Sequence, residues 1–90
     1  MIEDIKIIEQ NKEYIAYDCD AMLYVHLQKW AVVSDHTHTH QETVFLMAGT
    51  AEMIIGNKIQ TIISPKKIVI PANTYHKFTA LTEVIGLEIK

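Results

Sequence analysis

The amino-acid sequence predicts an all-β protein, either a sandwich or a closed barrel. Three observations point there. Apolar and polar residues alternate with a period of two over much of the chain, as in half-buried strands. Turn-forming residues at Gly49-Thr50, Gly56-Asn57, Pro65 and Pro71-Ala72-Asn73-Thr74 cut the second half into short segments. No stretch of ten or more residues carries a helical apolar stripe, and there is no repeat or linker. Roughly eight short strands at close spacing suit such an architecture, and residues 1–90 read as one domain.

In chain order, Ile5 to Ile8 and Tyr14 to Asp18 read as two strands joined around Gln10-Asn11-Lys12. Ala21 to Val33 reads as one alternating segment, with Leu23, Val25 and Leu27 on one face and Tyr24, His26 and Gln28 on the other. Thr43 to Ala48 is β-branched and aromatic, and Gly49 ends it. Ala51 to Ile55 and Lys58 to Ile63 flank Gly56-Asn57, and glycine first in a two-residue loop predicts a primed hairpin turn. Pro65 has no N–H to give to a ladder and stops the second arm. Ile68 to Ile70 is a short strand closed by Pro71, after which Asn73 tolerates a left-handed backbone. His76 to Ala80 and Val84 to Ile89 complete the set, with Leu81-Thr82-Glu83 as the turn between them.

Ninety residues, 49% hydrophobic, supply enough apolar material for one small core. The net charge of -3 and scattered lysines argue against a nucleic-acid surface, and no polybasic patch addresses anionic lipid. No segment approaches the length of a membrane span. The single Cys19 cannot form an intramolecular disulfide, which fits a reducing compartment, and the expected localisation is cytoplasmic.

The chemistry concentrates in Ser34-Asp35-His36-Thr37-His38-Thr39-His40-Gln41-Glu42. In an extended chain His36, His38, His40 and Glu42 share one face, and the same parity continues into Val44, Leu46 and Ala48. Three imidazoles and a carboxylate beside an apolar wall are costly to desolvate unless a cation is coordinated. Neutral imidazole and carboxylate suit iron, manganese, zinc, nickel or copper, so the donor types leave the divalent metal open.

The spacing His36-x-His38-x-x-x-Glu42, followed after six residues by Gly49, resembles the first motif of the cupin superfamily. Pro71-x-Asn73-x-x-His76 is similar to the second cupin motif, in which a glycine stands where this chain has Asn73. The resemblance covers about residues 31–80 and is to small single-domain prokaryotic members. Ala80, where the family often has asparagine, and Ser64 or Pro65, where it often has glycine, depart from the pattern at positions that are not ligands. The resemblance implies a cupin-type jelly-roll β-barrel holding one divalent metal through His36, His38, Glu42 and His76. His40 is left in three roles: a ligand in a shifted set of His38, His40 and His76, a partner that orients a ligand, or an acid–base residue facing the cavity and hence the candidate catalytic group.

Val44, Leu46, Ala48, Ile68 and Ile70 are expected to line an apolar cavity. The absence of arginine counts against phosphorylated or polycarboxylate substrates. Two uses of the metal follow: an enzyme such as a dioxygenase, isomerase or lyase acting on a small molecule, or a non-catalytic binding or sensor domain. A third is a structural ion that staples a small core. Phe45, Met47 and Met53 are expected to pack between sheets, and Tyr75 to point away from the cavity. Met22, Tyr24 and Trp30 form an outward apolar stripe that predicts a homodimer.

Overall fold

A computed structural model of the chain describes residues 1–35 and 37–90. Among the described residues there is no helix, and therefore none long and apolar enough to cross a membrane. The described residues form ten strands rather than about eight: β1 (Ile7–Gln10), β2 (Tyr14–Cys19), β3 (Met22–Leu27), β4 (Val32–Asp35), β5 (Glu42–Ala48), β6 (Thr50–Ile55), β7 (Lys58–Ile63), β8 (Lys66–Ile70), β9 (His76–Ala80) and β10 (Val84–Ile89). They form a six-stranded sheet, ordered β1-β2-β3-β10-β5-β8, and a four-stranded sheet, ordered β4-β9-β6-β7. All pairings are antiparallel, and the sheets enclose one core in a jelly-roll.

The core follows the period-two pattern. Leu46 of β5, Met53 of β6 and Val84 of β10 are fully buried between the sheets, with Leu27, Ile68 and Ile70 beside them. The β6–β7 hairpin turns at Gly56-Asn57 as expected, with Gly56 at φ +62°. Asn73 takes φ +58°, so asparagine fills the left-handed position that the second motif gives to glycine.

Four expectations are corrected. Ala21 to Val33 is two strands in different sheets, because Trp30 adopts φ +72° and residues 28–31 carry the chain across. Trp30 therefore does not extend the stripe of Met22 and Tyr24 on β3, although its ring is largely exposed, with the Lys29 ammonium 5.2 Å from its centre. Residues 37–41 form a loop and not a strand, so strict alternation does not govern the histidines. Finally, Ile85 pairs with Ala48 but Gly86 with Leu46, which makes Met47 the extra residue of a bulge. Beyond this bulge the inward parity ends: Met47 is half exposed instead of packing between the sheets, and Ala48 is exposed instead of lining the cavity.

Candidate metal centre

The pairing of the strands brings two distant segments together. Asp35, the last residue of β4, lies opposite His76, the first residue of β9, and Glu42, the first of β5, lies opposite Ile70 at the end of β8. The two connecting loops are tied directly: the Asn73 N–H donates to the His38 carbonyl at 2.6 Å. Through these contacts His38, Glu42 and His76 converge, with one ligand atom from each all within 4.8 Å of one another.

Nε2 of His38 stands 2.6 Å from Oε1 of Glu42, and Nε2 of His76 stands 3.7 Å from the same oxygen. These separations bracket the roughly 3 Å between donors that share one ion at about 2.1 Å. The rings of His38 and His76 are 5.3 Å apart, centre to centre. The Nδ1 of His76 is 3.2 Å from the Thr74 carbonyl. A carbonyl only accepts, so Nδ1 carries the proton and Nε2 presents its lone pair to the cluster.

Glu42 is 8% exposed and His76 7%. Among the described residues, Oε1 of Glu42 is buried and receives no hydrogen bond, although two imidazole nitrogens stand 2.6 and 3.7 Å from it. An ionised carboxylate left in this state is strongly unfavourable. A cation between one carboxylate and two imidazole nitrogens resolves it, so the residues present fit a divalent transition metal.

Of the other site candidates, His36 lies outside the described residues. His40 is exposed, its ring 5.8 Å from that of His38, and it does not join the convergent group. His26 projects from the outer face of β3, its Nε2 3.3 Å from Oε1 of the exposed Glu83. Tyr75 is largely exposed, opposite in sense to the buried His76.

Glu42 and His76 also line a partly open cavity of about 120 Å³ between the sheets. Val44, Leu46, Ile68 and Ile70 lie on its wall as expected, and Val25, Met53 and Phe78 are among the other apolar residues that line it. One polar residue of this wall escaped the reading of the sequence: Glu88 of β10. The signal was present, since Val84, Gly86 and Glu88 alternate and all three face the cavity.

The chain is similar to solved proteins of the cupin superfamily. A cupin superfamily protein from Desulfitobacterium hafniense superposes with a TM-score of 0.72 at 12% identity, over 96% of this chain and 73% of that one. KdgF from a Halomonas species gives 0.68 at 17% identity, over 93% of this chain and 73% of that one. The oxalate decarboxylase of Bacillus subtilis, a protein with Mn(II) centres, gives 0.79 at 18% identity, over 96% of this chain and 27% of that longer one. No family sequence model matches the chain, and no curated protein matches it in sequence. The jelly-roll is thus the cupin fold that the two motifs imply, and it carries a candidate metal centre of His38, Glu42 and His76.

Proposed function

We propose that this chain is a metal-dependent cupin. In this reading it holds one divalent transition metal and uses it on a small, non-phosphorylated molecule seated in the apolar cavity. The observation that carries the reading is the convergence of His38, Glu42 and His76 on a cavity that two of them line. His36, two residues before His38, is the fourth donor in the proposed set. When bound, the ion supplies a Lewis acid that polarises an oxygen or nitrogen of the ligand. The chain supplies the rest. His76 is oriented by the Thr74 carbonyl, Glu42 contributes a buried carboxylate ligand, and the mostly aliphatic walls surround the ligand with apolar surface.

Elemental analysis of the purified protein tests the centre and is expected to find one ion per chain. His76→Ala and Glu42→Gln should each reduce this to near none, while His40→Ala should leave it nearly intact. Full retention by His76→Ala contradicts the ligand set, and loss in His40→Ala favours the shifted set of His38, His40 and His76. Oxygen uptake by the Fe(II)-loaded protein, with thiols, diketones and aromatic diols, then tests dioxygenase chemistry. Absence of turnover with every metal replaces the enzyme by a metal-dependent binding domain.

The proposal extends to a homodimer in the cytoplasm. Residues 1–10 are all exposed and include Met1, Ile2, Ile5, Ile7 and Ile8, and β1 lies at the edge of the larger sheet. An apolar segment on a strand edge calls for cover, and a second copy provides it symmetrically.

A further inference from the structure

Gly86 stands in the middle of β10, and nothing in its backbone calls for glycine. Of the three glycines of the chain, Gly49 and Gly56 take positive φ and Gly86 does not. A Cβ built at Gly86 meets the Phe45 carbonyl oxygen at 3.6 Å and a Val44 methyl at 4.0 Å, both ordinary contacts. The nearby bulge belongs to β5, where Met47 is the extra residue, so it imposes no glycine on β10. Glycine inside a strand nevertheless weakens it, because glycine loses more backbone freedom on folding and packs no side chain. Such a residue points to a use for the space that its side chain would fill.

That space is the cavity. Gly86 is buried and shares the inward face of β10 with Val84, which lines the same wall. Its register partners, Val25 on β3 and Leu46 on β5, line it too. Among the described lining residues, Gly86 alone has no side chain. Well-packed cores ordinarily fill such a position, and a glycine within a strand also marks where a ligand comes close to the backbone. The room is limited. Apolar cavities of about 150 Å³ take molecules the size of benzene, and this one measures about 120 Å³. At that size a single added methyl takes up a sizeable share of it.

We infer that Gly86 determines which ligands the cavity admits: its missing side chain lets a compact apolar group, about the size of benzene, lie against the β10 backbone, and a larger residue there shuts that group out. The inference rests on the proposed function for the presence of a ligand beside the metal, and on the cavity alone for the position of Gly86.

Two apolar probes that are not metal ligands test it: benzene and the smaller xenon. Each is titrated into the protein and followed by amide NMR, and zinc content after loading is measured on the same samples. The wild type should bind both. Gly86→Ala should weaken benzene about tenfold or more, the effect of one methyl group in an apolar pocket, and should weaken xenon less. Its melting temperature should hold or rise, because alanine at an ordinary φ narrows the freedom of the unfolded chain. Gly86→Val should abolish benzene binding. Loss of the larger probe without loss of stability is a combination that a purely structural glycine does not produce. Benzene affinity unchanged in Gly86→Ala overturns the inference, as does its retention in Gly86→Val. A Gly86→Ala chain that melts lower or unfolds also overturns it, by showing that the backbone needs glycine. Equal weakening of both probes, or a wild type that binds neither, does the same. Failure of the wild type to bind zinc, with the probe pattern as expected, removes the metal reading and leaves the role of Gly86 standing.

Discussion

Burial, and then the neighbouring carboxylate of Glu9, push the Tyr14 hydroxyl up to about 12 from its ordinary 10. Between those values the folded chain keeps a proton that the unfolded chain has lost, so stability falls as pH rises through the window. Ultraviolet difference absorbance should show a late-titrating component among the four tyrosines, and Tyr14→Phe should remove it. Persistence of that component in Tyr14→Phe assigns it elsewhere. Individual residues differed in how far the sequence revealed them. Asn73 was legible because a left-handed turn between Pro71 and His76 admits few residue types, and it does take φ +58°. His38 and Glu42 were singled out by spacing, but the alternation behind that argument does not hold in the loop at 37–41. What brings them to His76 is β-sheet register and the bond from Asn73 to the His38 carbonyl. His40 shares their parity and is exposed, because a bent loop has no fixed period. Glu88 carries no motif spacing of its own, and only the alternation of its strand places it with Val84 and Gly86.

At the scale of the element, two glycines of similar backbone angle make different demands. Gly49, between β5 and β6, has φ +95°, and a Cβ there would lie 2.2 Å from the Glu83 carbonyl oxygen. The same corner is fastened by the Thr50 N–H donating to the Thr82 hydroxyl at 3.0 Å and the Ser64 N–H to the Gly49 carbonyl at 3.1 Å. Gly56, at φ +62°, has open space, its nearest neighbour being a Thr74 methyl at 3.8 Å. Gly49→Ala should therefore cost roughly 3 kcal/mol or more from strain and displaced backbone, and Gly56→Ala about 1 kcal/mol from the φ angle alone. Thermal melts read the difference, at about 4–8 °C per kcal/mol for a domain of this size. Equal shifts for the two variants contradict the steric argument. The hairpin at Gly56 was legible because a two-residue loop with leading glycine has few alternatives. The β2–β3 hairpin was not: its turn, Asp20-Ala21, puts an aspartate at φ +60°, helped by the Asp18 carboxylate accepting from the Asp20 N–H. The break at Trp30 was equally hidden, since a bulky residue at positive φ is held by tertiary contacts, here its N–H to the Ala80 carbonyl.

For the whole molecule, accessible area argues for association. A compact monomer of 10.3 kDa exposes about 5,400 Å² by the usual scaling with mass. This chain exposes 6159 Å², a surplus of roughly 800 Å², about what each partner buries in a specific interface of standard size. The molecule is also elongated, 45 × 28 × 23 Å, and residues 1–10, all exposed, carry the apolar side chains of Met1, Ile2, Ile5, Ile7 and Ile8. The outward stripe first suggested for contact is partly satisfied within the chain: Tyr24 packs its ring 6.1 Å from that of Tyr17 on β2. In the proposed homodimer the contact face is the N-terminal edge, where Ile5 and Ile8 are about half exposed or more. Light scattering coupled to size exclusion should give about twice 10.3 kDa for the wild type. Ile5→Lys combined with Ile8→Lys should give the monomer with an unchanged metal content, because neither residue approaches the His38, Glu42 and His76 cluster in sheet order. A wild type that is monomeric at micromolar concentration leaves the apolar arm without its proposed partner. A double variant that stays dimeric moves the interface elsewhere on the surface, where Trp30, Ile59 and Ile63 are the most exposed large apolar side chains away from the arm.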